Sequence, residues 1–295
     1  MNGKGWGMRG RFVATAVLVA VTAVGCGTGK QDDPVTAGTP PATPYDGPLH
    51  LPHKEVDEDG VEAIRTESGA AGKALECAGE IYDGGGGPGG WGENDGGDTP
   101  EEGLEAYFDI EVPDVPREGY RVERAEKNRV LFSYDVDGRT KVAVIVAKDR
   151  KNSPGWGPET SASCDPAELP ASFTDSQWYE IWTDEDGKRV PITKVHTSKG
   201  PEHCDWQDAH FLSVGSDADG DGKLYGRDPD GVLPEGMLTA AYDGDARMPE
   251  GARDTGYRHE DRSLWLVEDD PSKAYVRTPD GVEAWPAVAE GKGCA

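Results

Sequence analysis

An apolar run at residues 12–24, preceded by Lys4, Arg9 and Arg11 with no acid among them, decides the environment in which the rest of the chain must fold. A basic start, a short apolar stretch and a small residue at its end describe a secretory leader. The run is shorter than the roughly 20 apolar residues that span a bilayer. Cys77, Cys164, Cys204 and Cys294 therefore reach an oxidising compartment. An even number of cysteines there reads as two disulfides, and sequence alone leaves three pairings open. Cys77–Cys164 with Cys204–Cys294 is the favoured arrangement, because each bridge would close one of the two folded segments described below. None of the four sits in a CxxC, so a redox or zinc site has little support.

The leader ends in Ala23-Val24-Gly25-Cys26. This resembles the bacterial lipobox, with Ala23 where Leu, Val or Ile is usual. The resemblance implies a lipoprotein signal peptide over residues 1–25 and a diacylated Cys26, held in the bilayer on the extracytoplasmic face of the cell membrane. Two acyl chains anchor stably where one is marginal. The alternative is ordinary signal cleavage with Cys26 a stray thiol. Removing residues 1–25 takes the net charge from −26 to −29, because that stretch holds three basic residues and no acid. So negative a chain lacks the basic footprint of nucleic-acid binding, and a solvated acidic surface is the expected reading.

Residues 26–59 are rich in Pro, Gly and Thr and read as a disordered tether. His50 and His53 fall inside it and are expected to be solvated. Residues 60–170 read as an α+β segment. A helix over 63–78, weakened by Gly69 and Gly72, leads into a glycine-dominated loop at 83–98. Thr99-Pro100-Glu101-Glu102 then supplies a capping hydroxyl, a proline at N1 and a glutamate at N3. Leu104, Tyr107 and Phe108 share one face of that second helix. Strands at 120–124, 129–136 and 141–147 follow, the last two joined by Asp137-Gly138, a strong hairpin signal. Val142, Val144 and Val146 mark a buried face, and residues 148–170 read as a closing loop. Residues 171–295 read as β-rich, with a turn at 184–187 and a strand at 263–267. Tyr225, Arg227 and the Pro229-Asp230-Gly231 turn recur fifty residues later at Tyr275, Arg277 and Pro279-Asp280-Gly281, which predicts two similar hairpins. The fold class expected is α+β, predominantly β: a helix on a small antiparallel sheet, then a β-rich segment, with two disulfides.

The sharpest local motif is the Asp/Gly loop at 217–228. Asp217, Asp219, Asp221, the Lys223 carbonyl and Asp228 occupy the ligand places of an EF-hand-type calcium loop, with Gly222 at its turn. Asp228 is shorter than the usual glutamate, and the flanks read as strands rather than helices. A solvated hairpin turn competes with the calcium reading. No Ser, His and acid fall in a recognisable catalytic motif, and HExxH, P-loop and nucleophile-elbow patterns are missing. His203 and His210 flank Cys204 and are expected to be surface or hydrogen-bonded structural residues. Trp182 and Trp265 are expected in the core. Trp91 and Trp156 stand in Gly/Pro-rich loops, where an exposed ring would suit a sugar or protein partner. Packing beneath the loop is the commoner fate and the one expected.

Cys-Asp-Trp-Gln at 204–207, Arg-Asp-Pro-Asp-Gly at 227–231 and the closing Trp285-Pro286 and Gly293-Cys294 resemble a family of actinobacterial, streptomycete-type secreted lipoproteins. The resemblance spans most of residues 70–295; it supports the segmentation and implies no chemistry. The expectation is a lipid-anchored extracytoplasmic protein, non-catalytic, with a cell-wall or protein partner and no nucleic acid. A calcium-binding module is the runner-up and a secreted hydrolase the third reading.

Overall fold

The strand signals of the first segment assemble into one five-stranded antiparallel sheet of order β1-β5-β4-β3-β2. The strands are β1 (Ile81–Gly86), β2 (Arg121–Glu126), β3 (Arg129–Val136), β4 (Arg139–Arg150) and β5 (Ser153–Cys164). This computed structural model describes residues 34–36, 41, 43–51, 54, 56, 60–86, 90–215 and 222–294. Central β4 is buried on both faces, which is why it reads as a nearly continuous apolar run. Val142, Val144 and Val146 pack under helix α3 (Pro100–Ile110) with its Leu104, Tyr107 and Phe108. That helix begins as expected: Thr99 caps Glu102 and the Glu102 side chain returns to the Thr99 backbone. On the other face Ala143 and Ile145 meet Ala70, Ala71 and Ala74. These small side chains let a helix lie close to the sheet.

The helix expected over 63–78 is two short ones, α1 (Val61–Glu67) and α2 (Gly69–Ala74). Gly69, at φ +57, takes the left-handed conformation that turns the chain between them. The Gly-rich loop expected at 83–98 begins as β1, and the closing loop expected at 148–170 is largely the long strand β5. Trp91 and Trp156 are both buried, and Trp91 Nε1 donates to the Pro154 carbonyl at 2.9 Å.

Part of the expected tether is structure instead. Val35 bridges Tyr120, the Tyr45 amide donates to Glu123 at 2.6 Å, and the Leu49 amide donates to Glu126 at 3.3 Å. Leu49 is buried beside Ile145. Proline and polarity set the backbone habit of this strap, but the packing of Leu49 and tertiary hydrogen bonds such as these hold it on the sheet.

The second segment holds two four-stranded antiparallel sheets, β6-β7-β8-β9 and β10-β11-β12-β13. Their strands are β6 (Tyr179–Ile181), β7 (Val195–Lys199), β8 (His210–Val214), β9 (Lys223–Arg227), β10 (Ala252–His259), β11 (Arg262–Val267), β12 (Asp270–Thr278) and β13 (Gly281–Pro286). The sheets join at both edges. Thr183, just past β6, exchanges two backbone hydrogen bonds with Arg258 of β10, at 2.7 and 2.8 Å. Tyr225 of β9 pairs with Ala287, just past β13, and the Val288 amide donates to Leu224 at 2.8 Å. The result is an antiparallel eight-stranded barrel made of two sheets, its two seams held by isolated bridges rather than by strand ladders, and of a size whose interior is filled by side chains. Trp182, Leu212, Tyr225, Leu264, Val276 and Trp285 fill it.

Only the second of the two similar hairpins forms. Residues 275–282 turn from β12 into β13, whereas after β9 the Asp228 carboxylate captures the Val232 and Leu233 amides and curls the chain away. Trp182 is buried as expected; Trp265 is half-buried, with the Arg277 guanidinium 4.8 Å from its ring.

The disulfides are Cys77–Cys164 and Cys204–Cys294, one in each segment. Sheet and barrel are not separate, however: Pro34–Ala295 forms one compact unit. Buried Asp165 accepts from the Ile192 amide at 3.0 Å, and Arg189 donates to the Leu169 carbonyl, tying the two segments together.

Candidate functional site at the mouth of the barrel

Side chains alternate across a strand, so residues two apart share a face. Counting outward from the core by two along each barrel strand gives Glu180 from Trp182, Lys199 from Thr197, His210 from Leu212 and Arg227 from Tyr225. On the other sheet it gives Arg262 from Leu264, Thr278 from Val276 and Glu283 from Trp285. One end of the barrel is thus ringed by interior-facing polar side chains. His259 completes the ring, its imidazole 5.8 Å from the Trp182 ring.

Most of the ring falls into two separate hydrogen-bonded ion-pair networks. Arg227 forks onto Glu283, with Nε to Oε2 at 3.0 Å and Nη2 to Oε1 at 3.2 Å, and Trp285 Nε1 donates to Glu283 Oε2 at 2.8 Å. Burial alone would push the Glu283 carboxyl up, but the Arg227, Trp285 and Tyr242 hydrogen bonds outweigh it and hold it below its usual value. Opposite, Glu180 Oε2 accepts from Thr197 Oγ1 at 2.6 Å and from Arg262 Nη2 at 3.2 Å. Thr197 in turn accepts from Trp182 Nε1 at 3.3 Å. Burial raises Glu180 too, and Thr197, Arg262 and His259 together bring it below the ordinary range. Arg262 Nη2 also lies 2.5 Å from His259 Nδ1. A guanidinium only donates, so Nδ1 is the acceptor and the His259 proton sits on Nε2.

His210 stands between the two networks, at the start of β8 and paired in register with Arg227. Its Nδ1 is buried and has no hydrogen-bond partner among the described residues. Burial depresses its pKa, with Glu180 opposing the effect and Arg227, Arg262 and Lys199 adding to it, so the site favours the neutral ring. Outside these groups lies a half-open cavity of about 340 Å³, floored by His210, Arg227, Arg262 and Glu283 and rimmed by Asp261, Asp280 and Gly281. Barrel mouths with a few convergent polar groups are common ligand sites.

The residues expected to carry chemistry lie elsewhere. Cys26, Asp217, Asp219 and Asp221 fall outside the described residues, as does His53. Lys223 opens β9, and Asp228 has one oxygen accepting from the Val232 amide at 2.8 Å and the other from Leu233 at 3.1 Å. His203 Nε2 lies 3.2 Å from Cys294 Sγ. Two groups of closely spaced potential ligand atoms occur among the described residues, His203/Cys204/Cys294 and Cys77/Cys164/Glu168. Both rest on disulfide sulfurs, which lack the thiolate that binds a metal. His210, expected at the surface or hydrogen-bonded, is instead half-buried with an orphaned nitrogen. No helix among the described residues is long and apolar enough to cross a membrane. Comparison with known protein families, with curated proteins and with solved structures returns no match.

Proposed function

We propose that this is a lipid-anchored extracytoplasmic binding protein, and that the barrel mouth is where it takes a small polar ligand from the cell-envelope side. The polar ring around a 340 Å³ cavity carries the reading. Evolving barrels fill their ends most cheaply with apolar side chains or leave them to solvent; here two tryptophan N–H groups, two arginines and two glutamates are locked into fixed geometry. Both glutamates are already engaged by a cation, an arrangement suited to recognition rather than to accepting a proton from a substrate. The leader and the Cys26 context support the anchor, and the two disulfides suit an oxidising compartment.

The His210 imidazole resonance, followed by NMR while small-molecule fractions of the cell envelope are titrated in, tests the binding site. A saturable shift is expected; resonances that no fraction moves would overturn it. For the anchor, Cys26→Ser should shift the protein from the membrane fraction to the medium, and an unchanged distribution would remove lipidation from the account.

A further inference from the structure

The hydrogen-bonding balance of the mouth points to its ligand's chemistry. Its interior acceptors are largely used: both Glu283 oxygens are taken by Arg227, with Trp285 sharing Oε2, and Glu180 Oε2 serves Thr197 and Arg262. Its donors are less so. Arg262 Nε and Nη1 make no hydrogen bond to a described residue, Arg227 divides its guanidinium between Glu283 and Tyr242, and the His210 ring, with Nδ1 unpartnered among the described residues, has an N–H to offer. A cavity floor with spare donors and committed acceptors is complementary to an oxyanion, and guanidinium groups recognise carboxylate in a planar, forked geometry.

The rim has the opposite character. Asp261 and Asp280 stand at the cavity's outer edge, and neither makes a salt bridge within 4 Å. A dianion such as phosphate would meet these two charges on the way in and be repelled. A group carrying a positive charge beside its carboxylate would be attracted at both ends. Resting on the reading of the mouth as a ligand site, we infer that the ligand is a small zwitterion of the amino-acid or short-peptide class, with its carboxylate on Arg227, Arg262 and His210 and its ammonium toward Asp261 and Asp280. The cavity volume suits a molecule of that size.

Calorimetric titration of the oxidised protein with alanyl-alanine, N-acetyl-alanyl-alanine, alanyl-alanine amide and inorganic phosphate tests this. The zwitterion should bind, the N-acetyl form at least tenfold more weakly, and the amide and phosphate not measurably. Asp280→Asn, a rim change that removes no described hydrogen-bond acceptor from a network, should erase most of the difference between the zwitterion and its N-acetyl form. Binding of the amide at the strength of the parent dipeptide, or of phosphate above it, would overturn the inference. So would the absence of heat from all four ligands together with an unshifted His210 resonance. If an uncharged sugar instead moved that resonance, the mouth would remain a binding site while the zwitterion assignment fell.

Discussion

Glu283 holds two groups at the mouth of the barrel, the Arg227 guanidinium and the N–H of the buried Trp285. Glu283→Ala leaves a half-buried guanidinium and an indole N–H without their acceptor, and such losses cost about 1–3 kcal/mol each. Chemical denaturation should show destabilisation of at least 1 kcal/mol; an unchanged midpoint would mean water replaces the carboxylate freely. The histidines give a second expectation. Burial lowers the pKa of His196, His210 and His259 from the ordinary 6.5. The unfolded chain therefore binds protons on these rings that the folded chain excludes. Stability is level above that value and falls as pH drops through it toward the depressed folded pKa values. Denaturation midpoints should decline between pH 7.5 and 5.5, and a flat profile would contradict the burial of these rings. The ring itself could be read from sequence only after the fact: each member sits two residues from a core side chain, but nothing in one strand says which end of a barrel it reaches.

At the level of elements, local chemistry predicted what local chemistry builds. The capping box at Thr99 and the Asp137-Gly138 turn fixed α3 and the β3–β4 hairpin to within a few residues. Strand β5 escaped because its Ser, Pro and Gly residues outnumber its strand formers Trp156 and Thr160; it is extended because β4 and β1 pair with it on either side. The glycines there serve close approach. A Cβ on Gly157 would lie 2.3 Å from the Trp91 ring. Gly157→Ala should therefore cost about 1–3 kcal/mol through overpacking, visible as a lower melting temperature. Near-UV circular dichroism should report the Trp91 environment changing with it, and an unperturbed spectrum would argue that the loop simply lifts. The helix at 63–78 was legible as helix but not as two, since only the tertiary path explains why Gly69 takes a positive φ.

For the molecule as a whole, closure of the barrel and the seam at Asp165 could not be read from sequence, because each depends on partners distant along the chain. The Asp/Gly loop remains a whole-molecule question. With both Asp228 oxygens held by amides at the last ligand place, thermal unfolding in calcium and in EDTA should overlay; a calcium-induced rise abolished by Asp219→Ala would make the loop a metal site. Leu49→Ala, removing a strap side chain that is buried beside Ile145, should cost about 2–5 kcal/mol, whereas Lys54→Ala, exposed, should leave the midpoint in place. The strap also orders events in time. Tyr45 and Leu49 hydrogen-bond to side chains 78 and 77 residues further along, so the strap can dock only once the strand that carries its partners is in place. Residues 43–51 should accordingly be the last of the sheet region to resist a protease during refolding, which makes them a latch that closes only over a finished sheet.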